Sequence, residues 1–268
     1  SLEILFLVTR QDFTSLMLME ANNNYRLYRS FSMTNLIKLL SSFTFLLFGT
    51  FALANQGLSV ITITTDDPED YVEWLTDNQP IFQKAAGDTV IASGICSPMA
   101  GGRTMNEHYV WSFHPSTSAM LSGNQYNDPD SQKAIRKISS KRELVRRDMW
   151  TIAKGNELAE AGSTAANYNV ISRTTNVNEY IEGLTALENA AAKNGHPSIT
   201  FALYVSSSAG DRAGTVMVSV QAPTSNELGA FLDQRQSSWM AEALQSFDTI
   251  RTPIEDFVMQ CTTLTVNS

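Results

Sequence analysis

Three histidines, two cysteines, four tryptophans and a cluster of cationic side chains are the groups able to do chemistry in this 268-residue chain. His108 and His114 fall on one predicted strand. At ~3.3 Å per residue they stand ~20 Å apart, too far to share an ion. His196 sits between Gly195 and Pro197 and reads as a turn residue. No metal site is expected. The chain contains neither Gly-x-Ser-x-Gly nor His-Glu-x-x-His, and its glycines are not followed by the Gly-Lys-Ser/Thr of a phosphate loop. No nucleophile, acid or base pair is therefore evident, and no cofactor is expected.

Period-two spacing gives a better lead. Tyr109, Trp111 and Phe113 share one strand face, with Val110 and Ser112 on the other. Together with Arg147, Trp150, Arg173 and Tyr204 they are the candidates for a pocket that takes a small molecule, or they simply fill the space between sheets. A second asymmetry is ionic. Lys133, Arg136, Lys137, Lys141, Arg142, Arg146 and Arg147 crowd into fifteen residues, as an anion-docking face or a solvated helix would require. The net charge of -8 argues against a nucleic-acid partner.

The elements that must position these groups begin after an address. Leu36 to Leu53 is the most apolar stretch, short for a membrane span and ending in Ala52-Leu53-Ala54, a small-x-small cleavage pattern. Residues 33–54 are expected to be a signal peptide cut before Asn55, with Met33 as the natural start and residues 1–32 an upstream extension. The expected location is periplasmic or secreted, with no stable membrane span left after cleavage.

The remainder is written twice. Asp70-Tyr71-Val72-Glu73-Trp74-Leu75-Thr76 aligns with Glu179-Tyr180-Ile181-Glu182-Gly183-Leu184-Thr185 at an offset of 109, and Ala100-Gly101-Gly102-Arg103 aligns with Ala209-Gly210-Asp211-Arg212 at the same offset. Strands are predicted near residues 60–64, 90–96, 109–113 and 147–152, and again near 169–173, 199–205, 215–221 and 256–264. Helices are predicted after Asp67-Pro68, Asn176, Pro115 and Pro223. Each copy thus reads β-α-β-β-α-β, with repeat 1 over 58–153, a linker over 154–167 and repeat 2 over 168–266.

A tandem of two such ferredoxin-like units resembles the dimeric α/β-barrel superfamily, which includes cofactor-independent monooxygenases, haem-degrading proteins and stress-responsive proteins. The resemblance implies an α+β fold whose two sheets close into one intramolecular barrel lined by the aromatic face, or else two units packed without closure. It also implies a strand order 4-1-3-2 in each copy, so that closure would set the strand of Cys96 beside that of Cys261. Those thiols are then either a disulfide or a buried apolar pair. Two functions stay open: an exported small-molecule-binding or interaction protein, or a monooxygenase-like enzyme acting on a small apolar or aromatic substrate in the barrel. The oligomeric state is not indicated.

Overall fold

The computed structural model describes residues 56–123 and 125–267. The expected leader over 33–54 lies outside them. In chain order the elements are β1 (Gly57–Thr64), α1 (Pro68–Ala86), β2 (Ala92–Gly101), β3 (Glu107–His114), α2 (Thr117–Ser122), α3 (Pro129–Ile138) and β4 (Glu143–Lys154). Then follow β5 (Thr164–Thr174), α4 (Val177–Lys193), β6 (Thr200–Ser208), β7 (Val216–Ala222), α5 (Ser225–Leu232), α6 (Ser238–Gln245) and β8 (Arg251–Val266). All eight strands pair antiparallel in one closed barrel of order β1-β3-β2-β8-β5-β7-β6-β4. Closure removes the free edges that would otherwise offer unpaired backbone groups. Among the described residues no helix is long and apolar enough to cross a membrane.

The helix starts follow from local chemistry. Asp67 accepts from the Asp70 amide at 3.2 Å ahead of Pro68, and Asn176 accepts from the Glu179 amide at 3.2 Å. Thr224 accepts from the Glu227 amide at 3.2 Å. Where single helices are predicted after Pro115 and Pro223, two short ones form in each place. Asp128, accepting from the amides of Asp130 and Ser131 with Pro129 in the first turn, starts the second of the earlier pair. The linker is shorter than expected. β5 begins at Thr164, because residues 164–166 pair with Thr262, Cys261 and Gln260, so only 155–163 are free of strands.

Three apolar layers result, one inside the barrel and one between each helix set and the sheet outside it. The layer under α4–α6 holds seventeen buried apolar residues and a cavity of about 210 Å³; the layer under α1–α3 holds seven and a cavity of about 350 Å³, and is the looser. Within α4, Gly183 decides the packing. A Cβ there would lie 2.8 Å from Phe247 Cε1, and the missing side chain lets the Phe247 ring seat against the helix with no exposure.

Two histidines are buried as neutral groups. His114 Nδ1 lies 2.6 Å from the Thr89 carbonyl oxygen, which makes Nδ1 the protonated nitrogen, while Nε2 has no partner among the described residues. Burial lowers its pKa, and that of His108. In the unfolded chain both would take up protons below about pH 6.5. The stability conferred by these neutral groups is thus complete above that pH and is lost as pH falls toward their lowered native values. The urea midpoint is expected to be lower at about pH 5.5 than at about pH 7.5, with much of the difference abolished in a His108→Gln/His114→Gln variant. An unchanged difference in that variant would assign the effect to other groups.

Candidate functional site

The loose layer contains a cavity of about 350 Å³. Its floor is the outer face of β1 and β3, with Ile61, Val110 and Ser112. Its roof is α1, whose buried stripe Tyr71, Leu75, Gln79, Phe82 and Ala86 recurs at helical spacing. Trp74, on the next position of that stripe, and Tyr126, between α2 and α3, complete an aromatic wall: Trp74 and Phe82 meet edge to face at 5.8 Å between ring centroids.

Two guanidiniums stand over this wall. Arg142 lies 5.8 Å from the Tyr71 ring centre and 6.0 Å from that of Trp74, and its Nη1 donates to the Tyr71 hydroxyl at 3.4 Å. Arg147 lies 5.8 Å from the Tyr126 ring, with Nε donating to Ser59 Oγ at 3.0 Å. Among the described residues neither is ion-paired to a carboxylate. The cavity also holds polar atoms without partners among the described residues: the Trp74 indole N–H, a donor, and Gln125 Oε1, an acceptor. Burial raises the Tyr71 hydroxyl pKa, against the opposing pull of Arg142.

A second, smaller cavity of about 100 Å³ lies inside the barrel. Tyr109, Trp111, Phe113, Trp150 and Tyr204 line it, together with Leu58, Met217, Phe257 and Met259. One end is closed by ionic groups. Asp148, 1% exposed, sits 2.9 Å from Arg146 Nε and 3.5 Å from Arg212 Nη1, and Arg212 Nη2 contacts Glu255. Outside these, Asp211 pairs with Arg103 at 2.6 Å, which lowers its pKa. Burial pushes the Asp148 carboxyl up, opposed by Arg146 and Arg212. Tyr109, donating to Glu107 at 3.1 Å, is raised by burial and by that carboxylate, and Tyr204 is raised by burial. Cys96 and Cys261 are directly opposed across β2 and β8 and joined by a disulfide that faces the same cavity.

Of the seven pocket candidates read from sequence, Tyr109, Trp111, Phe113, Trp150 and Tyr204 share the barrel interior. Arg147 and Arg173 do not. Asp148 and Trp150 point inward, so Arg147, one residue away, must point outward and reaches the helix-covered cavity instead. Arg173 is exposed near the end of β5, opposite Thr252. Sequence reading missed Tyr71, Trp74, Gln125 and Arg142 as a site, although the helical stripe of α1 and the Trp74/Gly183 mismatch between the aligned copies were visible signals. The short helical turn Gly210–Arg212 delivers Arg212 into the barrel end, a placement that the alignment of Ala209-Gly210-Asp211-Arg212 with Ala100-Gly101-Gly102-Arg103 does not indicate.

The donor set bears on metals and haem. Among the described residues no three His, Cys, Asp or Glu side chains cluster as a metal site. The helix-covered cavity is lined by no His, Cys or Met. The ligand type that remains is tyrosine, at Tyr71 and Tyr126; Tyr71 is held as a neutral phenol by burial while its oxygen accepts from Arg142, and the Arg147 guanidinium stands 5.8 Å from the Tyr126 ring. These residues do not fit a haem.

No protein-family model matches the sequence, and no curated protein matches it. Solved structures do match in shape. A candidate monooxygenase from Fusobacterium nucleatum aligns with a TM-score of 0.51 at 12% identity, over 80% of this chain and 95% of that one. A candidate monooxygenase from Lactobacillus acidophilus gives 0.51 at 10% identity, over 80% and 96%. A dye-decolorizing peroxidase from Bacteroides thetaiotaomicron gives 0.51 at 8% identity, over 79% and 94%. Likeness at such identities is likeness of fold, and the fold this chain shares with them is the ferredoxin-like α/β barrel.

Proposed function

We propose that this chain is an exported protein that binds a small aromatic anion in the cavity between α1 and the sheet. The observation that carries the reading is the pair Arg142 and Arg147, without carboxylate partners among the described residues, above an aromatic wall in an otherwise acidic chain. A guanidinium over a ring face attracts the ring and also accepts an anionic substituent, so a flat body bearing a carboxylate, sulfonate or phenolate satisfies both. Trp74 Nε1 and Gln125 Oε1 would meet an acceptor and a donor on the same molecule.

Binding without turnover is preferred to oxygenation. The fold is that of candidate monooxygenases, yet this cavity is lined by no carboxylate, imidazole or thiol to take a proton from a substrate. Anilinonaphthalene sulfonate is the probe. Its fluorescence titration is expected to saturate at one site, and Arg142→Gln is expected to weaken it about tenfold, ~1.4 kcal/mol, with the urea midpoint nearly unchanged. Equal affinity in the variant would refute the site, and oxygen uptake on adding a bound aromatic anion would favour the enzyme.

The tandem duplication belongs to the same reading. Tyr71 with Arg142 and Tyr180 with Arg251 are spaced alike, and the second pair makes the same guanidinium-to-hydroxyl bond at 3.2 Å. In one copy the ring beneath the arginine comes from Trp74; in the other, where Gly183 clears the space, it comes from Phe247 at 4.9 Å. Export is supported by the apolar leader and by the disulfide, which suits an oxidising compartment. Expressed from Met33 in an exporting host, the mature protein is expected to begin at Asn55 by intact mass; a retained leader would refute this.

A further inference from the structure

We infer that the barrel interior is a second ligand site, built for a small, flat, uncharged molecule that presents a carbonyl beside an N–H or O–H donor. The inference stands on side chains whose polar atoms are buried with no partner among the described residues. Asn169, 2% exposed, leaves Nδ2 free; Arg212, 8% exposed, leaves Nε free; Asn167 leaves Oδ1 free. All three line the interior cavity. Buried donors and acceptors are rarely left unmade, so the site asks for an occupant that supplies acceptor lone pairs to the two donors, as one carbonyl oxygen has, and a donor to the Asn167 oxygen.

Charge and shape narrow the class. Arg212 is already compensated by Asp148 and Glu255, so its Nε offers a hydrogen bond rather than an unpaired cation, and an anion entering there would meet those carboxylates. Trp111, Phe113 and Tyr204 supply ring faces, with Phe113 and Tyr204 stacked at 6.4 Å between centroids. A flat ring lies against such walls. The way in is the end opposite the ionic cluster, where a cavity of about 300 Å³ shares Trp111, Phe113, Asn167 and Tyr204 with the interior and is covered by residues 155–159. That cover is held through Asn156, whose side-chain amide lies 3.0 Å from Thr200 Oγ1 and 3.1 Å from Gln221 Oε1.

The test uses benzamide, which carries a ring, a carbonyl and an amide N–H₂, titrated into the purified full chain by calorimetry. Saturable binding is expected, with ethylbenzene, of similar size but without the amide, binding at least tenfold more weakly. Asn169→Leu is expected to cut benzamide affinity at least tenfold; Asn167→Leu serves the same purpose if that variant does not fold. Saturating benzamide is expected to leave bound anilinonaphthalene sulfonate in place, which separates this site from the helix-covered one. Absence of benzamide binding would mean that the interior holds water only, and equal affinity in the variants or displacement of the sulfonate would place benzamide elsewhere; each overturns the inference.

Discussion

Replacing Cys96 and Cys261 together by alanine is expected to lower the unfolding free energy by about 5 kcal/mol, read as a fall in the urea midpoint. The two residues are 165 positions apart, so their bond closes a loop spanning most of the described chain. In the chain-entropy view such a tie restricts the unfolded ensemble far more than the folded one. The bond lies across β2 and β8, at the junction of sheet β4-β1-β3-β2 with sheet β8-β5-β7-β6. Reductant should move the parent protein toward the variant and leave the variant unmoved. A parent whose midpoint is the same in oxidant and in reductant would show that the barrel is held by its hydrogen bonds and packing alone.

Gly94→Ala is expected to cost at least ~3 kcal/mol, or to prevent folding, for a different reason. A Cβ at Gly94 would stand 2.1 Å from the Thr262 carbonyl oxygen and 2.4 Å from Trp111 Cζ2. The first neighbour is backbone of the paired strand and cannot turn aside. Gly94 also sits where the β2–β8 register shifts, so a displaced strand would lose pairing on both sides of it. Gly183→Ala is the informative comparison. The atoms nearest its Cβ would be those of the Phe247 ring, a side chain that can move by tenths of an ångström, and alanine favours the helix by ~1 kcal/mol. Thermal or urea unfolding should separate the two substitutions widely; similar losses would mean that ring displacement is as costly as strand displacement.

Much of the barrel was legible because two-residue periodicity survives any detail of packing. Tyr109, Trp111 and Phe113 had to share a face, and Val110 and Ser112 had to face the other way, where they floor the helix-covered cavity. The same rule, applied strictly, would have excluded Arg147 from the lining once Asp148 and Trp150 were placed there. The helix-covered cavity was harder to see. An empty space is a property of what fails to arrive, and whether a ring comes from α1, as Trp74 does, or from the segment after α6, as Phe247 does, is settled by tertiary packing. Unpartnered atoms such as Asn169 Nδ2 are equally silent in sequence, since an asparagine on a strand reads the same whether satisfied or not.

Closing eight strands within one polypeptide, through the β2–β8 and β4–β6 seams, also changes what mass action and mutation can do. A barrel assembled from two identical chains comes apart on dilution, and every substitution in it appears twice, once on each side of the dyad. Here the seams form at a fixed effective concentration, so barrel closure is independent of protein concentration, and each substitution appears once. The two halves accordingly differ in what lies beneath the arginine: Phe247 is 4.9 Å from Arg251, with a cavity of about 210 Å³ beside it, and Trp74 is 6.0 Å from Arg142, with one of about 350 Å³.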